Sequence, residues 1–208
     1  MSEDCRIEEL LDKLGFTGAK AHGRARQELD SAGLTNPKRD RVSLKKRRRI
    51  EDFLRKKFVR TCEDSACQSA LERERSGIEL VPVDDAHNCE CCGGSEEKRA
   101  MRDFSSACRS RGITRVVVIG GTPAALDRMR RLWPDGLEKR LIEGTLNPDW
   151  HRVRSDLEWA PRVFIWVSQV THSMSGLYKR LQGPDRRQVV TINKRSVAGF
   201  LKEAADKI

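Results

Sequence analysis

The 208-residue chain has no apolar run approaching the roughly 20 residues that a helix needs to span a bilayer, which excludes a helical membrane span. Two common phosphate-binding signatures are missing as well. Neither G-x-G-x-x-G nor G-x-x-x-x-G-K-[ST] occurs, so NAD and ATP are poorly matched as ligands. No Ser-His-Asp or Cys-His set stands at a recognisable catalytic spacing, although Ser168 and His172 are close enough in sequence to approach each other. The opening residues Met1-Ser2-Glu3-Asp4 are acidic, unlike a secretory signal. A cytoplasmic protein is the expectation, and disulfides are rare in that compartment. The seven cysteines are therefore read first for metal binding.

Positive charge is what the chain has in excess. Its 41 Lys+Arg against 31 Asp+Glu leave a net +10, a balance that favours a polyanionic partner. With 38% hydrophobic residues it can still bury a core. Much of the cationic character is concentrated in one stretch of the first third.

Residues 1–61 read as a basic helical domain. Ile7, Leu10, Leu11 and Leu14 recur at helical spacing until Gly15. A second helix, capped by Thr17, carries Ala19, Ala21, Ala25, Leu29 and Ala32 and stops at Gly33. A third, capped by Ser43, presents Leu44, Ile50, Phe53, Leu54 and Val59. Helix, glycine turn and helix is also the outline of a helix-turn-helix. Between Lys38 and Arg60 stand twelve cations against Asp40, Glu51 and Asp52. The candidate nucleic-acid contacts among them are Lys38, Arg39, Arg41, Lys45, Lys46, Arg47, Arg48, Arg49, Arg55, Lys56 and Lys57. Five consecutive cations, Lys45 to Arg49, wrap most of a helical turn and repel one another at a cost that bound phosphates would remove. Only Phe53 and Phe58 interrupt the run, which points to phosphate contact ahead of base stacking.

Residues 62–112 read as a metal-binding element and connector. Cys62-x4-Cys67 and Cys89-x2-Cys92 are two ligand pairs about twenty residues apart, and Gly93-Gly94 after the second has the character of a zinc-ribbon knuckle. Cys62, Cys67, Cys89 and Cys92 are the expected ligands of a structural Zn2+. His87 and Cys91 are the alternatives, which makes six candidates for four positions. Ser95 then caps a helix through about Arg109. Cys5 and Cys108 read as small apolar residues.

Residues 113–208 alternate strand and helix. Arg115 to Ile119 is a buried strand that runs into Gly120-Gly121, with Thr122 capping a helix that has Pro123 in its first position and ends near Trp133. Strands follow over 138–143, 162–168 and 188–193. Helices begin at Asn147-Pro148, at Thr171 and at Ser196. The alternation requires a parallel sheet, in a small Rossmann-like or flavodoxin-like domain with strand order 2-1-3-4. Ligands of such sheets sit beyond the carboxyl ends of the strands. Gly120, Gly121, Thr122 and His172 are the candidate ligand-binding residues on that rim. Val116 to Pro123, together with Val167-Ser168-Gln169-Val170-Thr171-His172 and the closing strand, Ser196 and helix, resembles a family of uncharacterised bacterial Rossmann-like domains. The resemblance covers residues 113–208 only. It implies a bacterial origin and a rim on which Gly120, Gly121 and His172 sit together, and it names no reaction.

The function these features lead to is a zinc-stabilised nucleic-acid-binding accessory or regulatory protein, with DNA favoured over RNA, capable of self-association or of meeting protein partners, and without a membrane role. Two other classes stand beside it: an enzyme acting on a nucleotide or nucleic acid at the sheet rim, and a scaffold subunit of a multi-protein bacterial system.

Overall fold

A computed structural model describes residues 4–147, 149–182 and 188–208. The chain forms two compact units, one reaching to Ser95 and the other running from Glu96 to Ile208. The cysteine-bearing loops thus pack with the basic helices, and the connector helix packs with the sheet.

The first unit opens with a short strand β1 (Asp4–Arg6) and helix α1 (Ile7–Lys13), followed by α2 (Ala19–Ser31) and strand β2 (Arg41–Ser43). A 3-10 turn (Leu44–Lys46) leads into α3 (Arg47–Lys57), which passes without a break into β3 (Phe58–Thr61). Then come α4 (Ser65–Glu74), β4 (Glu79–Pro82) and a second 3-10 turn (Ala86–Asn88). β1 pairs antiparallel with β2, and β3 pairs parallel with β4, with Val59 opposite Leu80. The three helices expected from apolar spacing are present and share one core of Ile7, Leu10, Leu11, Ala21, Ala25, Leu29, Ile50 and Leu54.

Three details differ from expectation. The third helix stops at Lys57, and Val59 is in a strand, because Phe-Val-Arg-Thr is β-prone and finds a parallel partner some twenty residues on. Thr17 and Ser43 do not cap with their side chains. Gly18 takes the N-cap of α2 at φ +94°, against the Asp84 carboxylate, and the Thr17 hydroxyl instead accepts the Asp85 N–H at 3.1 Å. Helix α4 begins inside the first cysteine pair, carries Cys67 in its first turn and runs on into the stretch read from sequence as a spacer.

The second unit begins with α5 (Glu96–Ser110), directly after Ser95. There follow β5 (Arg115–Gly120), α6 (Pro123–Leu132), β6 (Glu138–Ile142), α7 (Trp150–Trp159), β7 (Arg162–Trp166), α8 (His172–Leu181), β8 (Val189–Ile192) and α9 (Val197–Asp206). All pairings in its sheet are parallel, in the order β6-β5-β7-β8, which is the expected 2-1-3-4. Strand alternation divides the core in two. Val116, Val118, Phe164 and Trp166 pack with α5, α6 and α9, while Val117, Ile119, Val163 and Ile165 pack with α7 and α8. Three helix starts behave as read: Thr122, Thr171 and Ser196 each accept an N–H from the first turn of α6, α8 and α9. The fourth differs. Asp149 caps α7 by accepting from the His151 N–H at 3.0 Å, while Pro148 of the expected Asn147-Pro148 start lies outside the described residues.

Candidate functional site

Four thiols converge between β3 and the turn after β4. Cys62 follows the last residue of β3, Cys67 sits in the first turn of α4, and Cys89 and Cys92 flank the turn that follows Ala86–Asn88. All four are buried, and their sulfur atoms lie within 4.8 Å of one another, with 3.9 Å between Cys62 and Cys92. None is in a disulfide. These four could hold a metal ion, and they are the four named from spacing.

The local chain is shaped for convergence. Asp64 caps α4 by accepting the N–H groups of Ala66 and Cys67, both at 3.0 Å, which presents Cys67 at the electropositive end of a helix. Gly93 and Gly94 have φ of +54° and +76°, conformations that a side chain would strain, and they let the knuckle fold so that the Gly93 N–H reaches the Cys89 carbonyl at 2.9 Å. Burial works against a Cys89 thiolate, yet the N–H groups of Cys92, Cys62 and Cys91 point at that sulfur and bring its thiol down to about 7. Burial pushes the Cys62 thiol the other way. The two alternative ligands do not join the cluster. The His87 side chain is 83% exposed and its Nδ1 lies 3.0 Å from Asp85, while Cys91 is half-buried outside the group of four. In the other unit, burial pushes the Cys108 thiol up to about 12, in keeping with an inert apolar role.

The cysteine-bearing loops are tied back to the helices by charge. Arg60 of β3 donates from Nε to Glu90 at 3.0 Å, and the Glu90 N–H returns a bond to the Arg60 carbonyl at 3.0 Å. Arg24 of α2 holds Glu79 of β4 through two bonds of 2.5 and 2.8 Å, keeping the Glu79 carboxyl below its usual range. The spacing and charge patterns do not point to Asp64 or Glu90, and they mark Arg60 only as the last cation of the basic stretch. An Asp three residues before a helical cysteine was the available signal for the first; the ion pair had none.

The cationic stretch is distributed differently. Lys45 to Arg49 are all exposed, in the 3-10 turn and the first turn of α3. Of the eleven candidate contacts, Arg55 pairs with Glu51 at 2.7 Å and Lys57 with Glu28 at 3.3 Å. Lys46 and Arg41 donate to the carbonyls of Leu34 and Asp4. Lys38, Arg39, Lys45, Arg47, Arg48, Arg49 and Lys56 have no carboxylate partner among the described residues. Phe58 is 2% exposed and unavailable to a ligand, whereas Phe53 is only half-buried.

On the sheet rim, Gly120 and Gly121 have φ of +97° and +81°, and the Gly121 N–H donates to the Ser168 carbonyl at 2.7 Å. A Cβ on Gly120 would strike the Trp166 carbonyl, and one on Gly121 would lie 2.6 Å from the Trp166 ring. Packing against β7 alone therefore requires both glycines. His172 is the exposed first residue of α8, and its ring has no hydrogen-bond partner among the described residues, Ser168 included. No helix among the described residues is long and apolar enough to cross a membrane. No protein-family model, curated protein or solved structure matches the chain.

Proposed function

We propose that the chain is a nucleic-acid-binding accessory or regulatory protein, with DNA favoured over RNA, whose first unit, which carries the cationic helix α3, is held in shape by a structural Zn2+. The observation that carries this reading is the contrast within one unit between cations that are used and cations that are not. Arg24, Arg26 and Arg60 are all engaged with carboxylates, while Lys45 and Arg47 to Arg49 stand exposed and unpaired on a single turn. No ion pair among the described residues uses that cluster, and phosphate would relieve its self-repulsion by releasing counterions.

Zinc suits the four cysteines. A tetrahedral ion with metal–sulfur bonds of roughly 2.3 Å needs sulfur atoms roughly 3.8 Å apart. The 3.9 Å between Cys62 and Cys92 agrees with that edge. A complete set of four thiolates leaves no open position, so the ion would supply structure. Cys62, Cys67, Cys89 and Cys92 would hold it, and because α3 runs directly into β3 and β3 into Cys62, the metal would anchor the end of the cationic helix. The knuckle at Gly93-Gly94 is ribbon-like in this reading, and the second unit is a Rossmann-like module that senses a ligand or mediates association.

The test is metal analysis of the purified protein together with DNA titrations over salt. The expected result is about one zinc per chain and a strongly negative dependence of log affinity on log salt. Replacing Lys45 to Arg49 by glutamine should flatten that slope by roughly 0.9 for each phosphate no longer neutralised. Salt-independent binding, or none, overturns the reading.

A further inference from the structure

We propose that the groove beside α3 is a slot for unpaired bases, so that the preferred partner is single-stranded nucleic acid. This deepens the reading above and rests on it. The groove is a shallow, open depression of about 640 Å³ between α3 and the chain just after α2. Lys45, Arg48, Arg49 and Lys56 line it, and all four are exposed and free of carboxylate partners. Arg49, Phe53 and Lys56 recur at steps of three or four and form a stripe along α3, and Lys45 of the preceding 3-10 turn lines the same groove. Between the cations the lining is apolar: Phe53, half-buried, and Leu34. Asp52 is the one carboxylate of the lining.

A duplex presents phosphates at its surface and keeps its base faces stacked. It would engage the cations and leave Phe53 idle. An unpaired strand can set a base face against an aromatic ring while its phosphates reach the flanking charges, the combination that single-strand-binding surfaces use. Every base has such a face, so the slot tolerates any sequence. Phe53 packs on its inner side against the core of the unit and is held in place, so a base would not have to order it on arrival. From spacing alone Phe53 and Phe58 count equally; burial leaves only Phe53 for a ligand.

The experiment is fluorescence anisotropy with the zinc-loaded full chain and three labelled oligonucleotides of one sequence: single-stranded DNA, single-stranded RNA and duplex DNA. Binding of either single strand about ten-fold or more tighter than the duplex is expected. Phe53→Leu keeps the inward packing and removes the π face. It should weaken the single strands about five- to hundred-fold, leave the duplex within two-fold and leave the salt slope unchanged. Phe53→Trp should restore single-strand binding, which a merely structural role would not do. If Phe53→Leu binds all three probes like the wild type while replacing Lys45, Arg48 and Arg49 by glutamine abolishes binding, the base slot is overturned and phosphate binding survives. If the wild type binds no probe, both fall. A tighter DNA than RNA strand, or the reverse, supports the slot equally and names its source.

Discussion

At the scale of single residues, the most constrained polar group is a carboxylate far from the charged stretch. Asp156 of α7 is 1% exposed, accepting from the Tyr178 hydroxyl at 2.6 Å and from Arg140 Nη1 at 2.7 Å. The guanidinium in turn lies 4.3 Å over the Trp159 ring. Three elements, β6, α7 and α8, are thereby joined through one buried acid. Burial first, then the hydrogen bond to Asp156 and after it the Asp156 charge, push the Tyr178 hydroxyl above its ordinary range. The folded protein therefore holds that proton more tightly than the unfolded chain does. Stability is full below the unfolded value of about 10 and falls as pH rises beyond it. Because Tyr178 is the chain's one tyrosine, tyrosinate absorbance reports it alone. The expected titration begins well above pH 10 and coincides with unfolding; an ordinary midpoint near 10 in the folded protein would mean the hydroxyl is not buried on Asp156. Tyr178→Phe should cost about 1–3 kcal/mol in denaturant unfolding, since a buried carboxylate loses a donor.

At the scale of elements, α4 is the piece that turns two cysteine pairs into one site. Its cap decides where Cys67 stands. Asp64→Ala removes the acceptor of two N–H groups and should lower stability by about 1 kcal/mol. It should also weaken metal binding by about ten-fold, as removing a positioning group commonly does, read by competition with a chromophoric chelator. Ser43→Ala is the control, because the Ser43 side chain caps nothing. An equal effect of the two would place the Asp64 contribution outside the cap. The contrast shows what could be seen in advance. The four clustered cysteines were legible because ligand-pair spacing is a local requirement, and the four-stranded sheet was legible because runs such as Val-Val-Val-Ile suit strands covered on both faces. β1, β2, β3 and β4 were not legible. Each is three or four residues long and is fixed by a partner far along the chain, as Asp4 is by Ser43 and Phe58 by Glu79. Helical spacing carried the reading of α3 on to Val59 for the same reason. The groove at Phe53 is a tertiary fact, since Leu34 comes to line it from a different part of the chain.

For the whole molecule, the charge and the chromophores are unevenly shared. Residues 1–95 hold 19 Lys+Arg against 18 Asp+Glu, so the first unit is almost neutral overall and its reactive feature is the segregation of cations around α3. Residues 96–208 hold 22 against 13, an excess that gives a salt-sensitive background attraction to any polyanion. All four tryptophans and the tyrosine lie beyond residue 95, and so does the larger sheet, whereas the cysteine cluster lies before it. A structural zinc contributes on the order of 10 kcal/mol, comparable to the ~5–15 kcal/mol total stability of an ordinary domain. Removing the zinc proposed for the four cysteines should therefore loosen the first unit and leave the second standing. Titrating the protein with a strong zinc chelator under reducing conditions is expected to lower the helical circular dichroism while tryptophan emission keeps its wavelength and intensity. Thermal unfolding should then show the tryptophan transition at an unchanged midpoint, and oligonucleotide affinity should fall to the weak background of the second unit. If tryptophan emission shifted along with the circular dichroism, the two units would be unfolding as one. If neither signal moved after the metal had left, the four thiols would not be holding the first unit together, and α3 would owe its position to the Ile50 and Leu54 core alone.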